Sequence, residues 1–382
     1  FQLILRLENS QGETILEKEE EIPFELPASS LARHRRQLLA FQDILPVIPG
    51  KFNFYLFLKN KTAKDFTSYQ TSLFVPSCHD SPQFSDILLF LDKELLATGQ
   101  QNKSKAFSFA GYQFIFNTQA KFLPEKPIGL FTQIINLATS RQKFLQVSVY
   151  SLDKGKTINQ EVWPLEKIFN PNQSDIILPS ISKNLLPPGY YQLQLSLVDQ
   201  EQKVLATKST SFVILSSSFP VVPWVFSKLR PRFPNPDDLY LLATEYFLNR
   251  QYSEAEQHLH VVLQSRDDNA PKLLLAKTYY GQKKYEGALS IAQPLYEQAG
   301  LREAGKILAN IFAEQKKWDK ALNYLEQLLS KAVEIPLLNL AAQGYAETGQ
   351  PEKALNYLNR SLELNPNQPQ LQKLKEKLNK LR

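Results

Sequence analysis

Two short phrases in this chain hold residue types that can do chemistry. Cys78-His79-Asp80 sets a thiol next to an imidazole and a carboxylate. A thiolate nucleophile needs a base within hydrogen-bond reach and a third group orienting that base. Successive side chains on an extended chain point apart, so adjacency makes no dyad. The triplet reads as a polar connector at a domain boundary. His258 and His260 form the second phrase, an HxH pair. On a helix, residues two apart diverge by roughly 200°, so the two imidazoles cannot share one metal and read as surface histidines. No Walker loop, GxGxxG, HExxH or GxSxG occurs. The carboxylates show no pairing that separates them from solvated helix faces. The expectation is therefore no catalytic residue, no cofactor and no metal site.

Composition narrows the classes further. With one Cys in 382 residues, an internal disulfide is excluded and a Cys-based metal site is disfavoured. The compartment stays open on that count. The net charge of +6 is small for the length. Its clusters are Arg33, Arg35 and Arg36 around His34, then Lys228, Arg230 and Arg232, then Lys373, Lys375, Lys377, Lys380 and Arg382. None carries the interleaved aromatics of a nucleic-acid surface, so they read as solvated faces. No apolar run is long enough to cross a bilayer, so no transmembrane segment is expected in this chain. The chain has no Met, and Phe1 reads as a processed or truncated N-terminus.

The elements that position these residues show in the spacing. Ala255, Ala288, Ala321 and Ala354 stand 33 apart, closing the phrases QYSEA, KYEGA, KWDKA and QPEKA. Twelve residues upstream of each lies another Ala (Ala243, Ala276, Ala309, Ala342), followed three later by Tyr246, Tyr279, Phe312 or Tyr345. A fixed period of this size marks a helical array whose units bury their apolar faces only by stacking. First helices are predicted over Pro236–Leu248, Ala270–Tyr280, Arg302–Glu314 and Ile335–Glu347. Their partners are predicted to start near Tyr252, Tyr285, Trp318 and Pro351. Leu371, Leu374, Leu378 and Leu381 make one stripe of a terminal capping helix.

Residues 1–215 alternate in the manner of half-buried strands. Runs are predicted at Phe1–Leu7, Phe52–Leu58, Thr71–Val75, Ile87–Leu91, Tyr112–Phe116, Leu130–Leu137, Phe144–Tyr150, Tyr191–Val198 and Ser211–Leu215. One device occurs twice: Pro49-Gly50 before KFNFYLFLKN, and Pro188-Gly189 before YYQLQLSLVD. Pro fixes φ and Gly tolerates a positive φ, so the pair sets the start of a strand. The repetition suggests two related sandwiches. The expected fold is multidomain β + α: two antiparallel β-sandwich (Ig-like) domains followed by an all-α solenoid. Its expected boundaries are 1–77 and 78–215 for the sandwiches and 216–235 for a packed Pro-rich linker. Four repeats are expected over 236–366 and a capping helix over 367–382.

The repeat pattern resembles the tetratricopeptide repeat (TPR) family, which also has Leu before the first Ala, as at Leu242, Leu275 and Leu308. Ala341 departs, the family's late Pro is present once as Pro366, and the period is one residue short of the usual length of about 34. What the resemblance implies is a groove lined by the first helices. By register it would present Tyr240, Thr244 and Phe247, then Leu273, Lys277 and Tyr280, then Lys306 and Asn310, then Asn339 and Gln343. Ala313 and Ala346 share that face. Such a groove would hold a protein partner as an extended or helical segment. Only Lys306 and Asn310 suit a clamp for an acidic C-terminus, so that capture is not expected.

In the β half, FQDILPVIPGKFNFYLFLKNKTAKDFTSYQTSLFVPS, SPQFSDILLF, GLFTQIINL and LLPPGYYQLQLSLVDQEQKVLATKSTSFVI follow in order. They are similar to the β-sandwich region of extracytoplasmic acidobacterial-type proteins that carry a von Willebrand A-like or GWxTD domain. The metal-adhesion motif and the GWxTD tetrad are themselves missing here. The resemblance implies an extracytoplasmic bacterial setting, periplasmic or secreted, and a supporting role. The expected function is a non-catalytic protein–protein interaction scaffold of a cell-envelope or extracellular assembly, with no nucleic-acid partner. Two alternatives stand beside it. One is the accessory region of a larger enzyme or ligand-binding protein whose active domain lies upstream. The other is carbohydrate binding by the sandwiches through aromatics such as Tyr190 or Trp163.

Overall fold

The computed structural model describes residues 1–22, 39–63, 65–77, 81–95, 103–109, 112–137, 142–170, 175–182, 184–216, 224–227, 229–231 and 234–380. The chain forms two compact units. One comprises Phe1–Gly12, Glu17–Leu45 and Pro49–Phe233 and is β-rich; the other comprises Glu13–Leu16, Pro46–Ile48 and Pro234–Arg382 and is helical.

In the β unit the first strands are β1 (Gln2–Asn9), β2 (Thr14–Glu21), β3 (Leu39–Gln42), β4 (Gly50–Lys59) and β5 (Phe66–Val75). Four of them form one antiparallel sheet in the order β2-β1-β4-β5. Leu7 and Phe52 are buried at one end of its apolar face. Among the described residues no second sheet faces this one, so the Ig-like pairing expected over residues 1–77 is not seen there.

The strands that follow are β6 (Gln83–Phe84), β7 (Leu88–Leu95), β8 (Lys103–Lys105), β9 (Ser108–Phe109), β10 (Tyr112–Phe116), β11 (Lys121–Phe122) and β12 (Gly129–Ile135). Then come β13 (Phe144–Ser151), β14 (Lys156–Pro164), β15 (Phe169–Asn170), β16 (Asp175–Leu178), β17 (Gly189–Val198) and β18 (Val204–Ile214). A seven-stranded sheet runs β15-β16-β12-β7-β10-β9 with β6 beside β12, and a five-stranded sheet runs β11-β18-β17-β13-β14. The two share one core. Leu89, Leu130, Ile176 and Leu178 of the first meet Leu145, Val147, Leu193, Leu195 and Phe212 of the second. The strict alternation of burial along β13 is what one face on a core and one toward solvent requires. The far face of the larger sheet carries a second cluster of Phe90, Phe114, Phe116 and Phe131. Residues expected as linker instead form β19 (Trp224–Ser227), parallel to β3, and β20 (Leu229–Pro231), antiparallel to β8.

The helical unit holds nine described helices. They are α1 (Pro236–Leu248), α2 (Tyr252–Ser265), α3 (Asn269–Gly281), α4 (Tyr285–Glu297), α5 (Arg302–Glu314), α6 (Trp318–Lys331), α7 (Ile335–Glu347), α8 (Pro351–Leu364) and α9 (Pro369–Lys380). All eight period-setting alanines are fully buried, which lets paired helices approach closely. Each first helix ends in one way. The residue after the cap (Arg250, Lys283, Lys316 or Gly349) takes a positive φ. The next N–H then bonds back to the carbonyl of Tyr246, Tyr279, Phe312 or Tyr345. This is a Schellman stop, which satisfies the last carbonyls of the helix.

Three of these four rings stack on the side chain 12 positions later. Tyr246 stacks on His258, Phe312 on Tyr324 and Tyr345 on Tyr357, with interplanar angles of 12°, 9° and 8°. His258 thus fills a ring position of the repeat, and burial pushes its imidazole below the ordinary value. His260 lies 3.3 Å from the Tyr279 hydroxyl and 3.7 Å from Glu256. Among the described residues no group of three His, Cys, Asp or Glu could hold a metal ion. Cys78, His79, Asp80 and the Arg33–Arg36 cluster lie outside the described residues.

Candidate protein-binding groove

First helices of successive repeats touch one another, α1 with α3 and α3 with α5. The predicted groove residues lie on these helices and on α7. They do not present alike. Tyr240 lies under Arg266, whose guanidinium carbon is 5.8 Å from the ring centroid, and its carbonyl accepts the Thr244 hydroxyl at 2.9 Å. Phe247 packs on Tyr252 with ring centroids 5.8 Å apart and borders the core of the first repeat. Leu273 packs against the core between the second and third repeats. Tyr280 donates its hydroxyl to Glu314, and so does Tyr285. Burial and that carboxylate push the Tyr280 hydroxyl well up. The aromatic end of the set is committed to internal packing.

The charges in the set are paired as well. Lys277 reaches Glu303 at 3.7 Å, while Lys306 reaches Glu303 at 2.5 Å and Glu334 at 2.8 Å. Burial works against the Lys306 charge, but the two carboxylates together hold its ammonium above the ordinary value. Arg302 holds Glu334 at 2.5 Å and donates to the Ala332 carbonyl at 2.7 Å. A cation held by two carboxylates has little to offer an anionic ligand.

The amide end is different. Asn310, Asn339 and Gln343 border an open cleft of about 780 Å³ between α5, α7 and α9, with Pro336 and Leu340 beside them. Its far wall is Gln368, Leu371 and Leu374. Gln368 turns inward: Asn339 donates to its side-chain oxygen at 2.9 Å, and its own amide donates to the Ser361 hydroxyl at 3.0 Å. The Ser361 hydroxyl donates to Asn339 Oδ1 at 2.5 Å. Asn339 is therefore occupied by the chain itself, whereas Gln343 is exposed. Leu374 and Leu371 pack on the last repeat's core and Leu378 is buried in it, so α9 both caps the array and walls the cleft.

Residue spacing did not point to Gln368, because it stands outside the 33-residue frame. Glu245 was also missed, although a signal existed. It falls one frame before Thr278, Ile311 and Gly344, all buried. An acid at a core register position is the mark to look for.

A family model described as Tetratricopeptide repeat matches residues 312–378. The helical unit carries TPR repeats. A second family model, described as Anaphase-promoting complex, cyclosome, subunit 3, matches residues 225–295. Three solved structures illustrate what the chain is similar to. MamA 41-end from Desulfovibrio magneticus RS-1 is 16% identical, with 39% of this chain and 86% of that chain covered and a TM-score of 0.36. A thermophilic TPR protein in Thermus thermophilus is 18% identical, over 38% of this chain and 81% of that one, with a TM-score of 0.32. YrrB, described as a TPR protein with an unusual peptide-binding site, is 19% identical over 37% of this chain and 74% of that one, with a TM-score of 0.34. Among curated proteins none matches the chain. No helix among the described residues is long and apolar enough to cross a membrane.

Proposed function

We propose that this chain is a non-catalytic scaffold of a bacterial cell-envelope or extracellular assembly, whose TPR unit holds an extended segment of a protein partner. The observation that carries the reading is the cleft between α5, α7 and α9, where Asn310 and Gln343 stand beside Leu340, Leu371 and Leu374. Amides donate to and accept from a peptide backbone, and the leucines take its apolar side chains. The partner is uncharged or mixed in charge at this end, since Lys306 is already held by two carboxylates. The extracytoplasmic setting rests on the β-strand phrases of the N-terminal half, and cell fractionation of the native protein tests it.

Selecting peptides from a displayed library on the whole chain tests the groove. Selected peptides should lose at least about tenfold in affinity for Asn310→Ala/Gln343→Ala. They should keep their affinity for Tyr190→Ala, an exposed aromatic of the β unit. Failure to enrich any peptide, or equal binding to both variants, removes the groove from the account.

A further inference from the structure

The four-stranded sheet has two outer strands, and they are unlike. β2 reads TILEKEEE, with Glu17, Lys18, Glu19, Glu20 and Glu21 in a run. β5 reads FTSYQTSLFV, ten residues without a charge, Pro or Gly. Its register against β4 is unbroken from Phe66 opposite Lys59 to Val75 opposite Gly50, so no bulge interrupts it. None of its residues is buried, and Phe66, Tyr69 and Phe74 are 68%, 60% and 69% exposed. Among the described residues no strand lies on its outer side.

Outer strands are kept from pairing with other chains by charge, Pro, bulges or brevity. The other outer strands of the unit follow that rule. β14 carries Lys156 and Glu161, ends on Pro164 and pairs through a register shift. β9, β11 and β15 are two residues long. Most telling is β18, which stands after the second Pro-Gly strand as β5 stands after the first. It contains Lys208, pairs with β17 through a register shift, and has β11 laid along its end. β5 has none of these guards.

We propose that β5 is a homodimerisation edge, pairing antiparallel with β5 of a second copy across a two-fold axis at Gln70. The two sheets then join as one of eight strands. A two-fold axis perpendicular to a sheet sets residues of the same face opposite each other. Centred on Gln70, it places Phe66 opposite Phe74 of the second copy, Ser68 opposite Ser72, Thr67 opposite Leu73 and Tyr69 opposite Thr71. Ring meets ring and hydroxyl meets hydroxyl, and no charge is buried. That self-match is why a second copy, not a foreign strand, is the occupant. Nine paired residues, Phe66 to Phe74, span about 30 Å, long for a strand edge left open to water.

Sedimentation velocity on the whole chain over about 1 to 100 µM tests this. A two-chain species is expected. Its dissociation constant should weaken at least about tenfold in Ser68→Lys/Ser72→Lys and equally in Ser68→Glu/Ser72→Glu, since like charges oppose across the axis. An equal mixture of the two variants should restore it, because each lysine then faces a glutamate. Gln70→Lys, which sets two like charges together at the axis, should weaken it alone. Both serines are exposed, and unchanged far-ultraviolet circular dichroism would show that the variants fold. A single-chain species at every concentration, a dimer indifferent to these charges, or a weakened dimer that mixing does not restore would overturn the proposal.

Discussion

Glu245 shows how far one residue can depart from its repeat. Its side chain is fully buried. One carboxylate oxygen accepts the Ile48 backbone N–H at 2.7 Å, and the other has no hydrogen-bond partner among the described residues. Burial pushes the carboxyl up to about 7 from 4.5, with the Ile48 N–H acting the other way. The folded state therefore takes up this proton at higher pH than the unfolded chain does. Stability from this group is greatest below about pH 4.5, falls as pH rises to about 7, and is flat beyond. The span corresponds to roughly 3 kcal/mol. Glu245→Gln should thus gain on the parent by roughly 2–3 kcal/mol between pH 4.5 and pH 8 in urea denaturation. A difference that does not move with pH would mean that no charge is buried there. At this scale the sequence was legible where the period speaks. His258 could be placed at a ring position by counting 12 from Tyr246. The pairing of Lys306 with Glu303 and Glu334 could not be read, because ion pairs across helices depend on side-chain reach and not on spacing.

Among the elements, the helices were the more legible. α1, α5 and α7 have the predicted ends, and the second helices start at Tyr252, Tyr285, Trp318 and Pro351 as expected. Repetition supplies four independent views of one pattern, which averages out local ambiguity. The strands that escaped prediction include β2 and β14, both outer strands. An outer strand faces water on more sides, so the apolar alternation that marks a strand is diluted by charge. β12 carries a finer constraint. Gly129 lies opposite Phe90 on β7, and a Cβ at Gly129 would sit 2.1 Å from the Phe90 ring. The ring covers the glycine backbone and belongs to the cluster with Phe114, Phe116 and Phe131. Gly129→Ala must displace it and should cost roughly 1–3 kcal/mol in the β unit, measured as a fall in its melting transition. An unchanged transition would mean that the ring swings aside freely.

The whole molecule is two units of different physics. The β unit is knit by contacts between distant residues, such as β13 with β17, while the helical unit is a line of neighbours. In such a line, damage should stay local. Leu378→Ala on α9 removes a buried side chain from the last repeat's core and should cost roughly 2–4 kcal/mol there. Hydrogen exchange should show α8 losing more protection than α1. Equal loss along the array would mean that the unit unfolds as one body. The 33-residue period by itself determined the helical array, its helix ends and its buried alanines, because each unit contacts the next in the same way and local spacing encodes those contacts. Strand pairing is set by registers between residues far apart in the chain, which spacing does not record. Only the tertiary structure decided that β1, β2, β4 and β5 form one sheet with β5 at its edge, that Gln368 reaches Asn339, and that a carboxylate at position 245 is closed off from water.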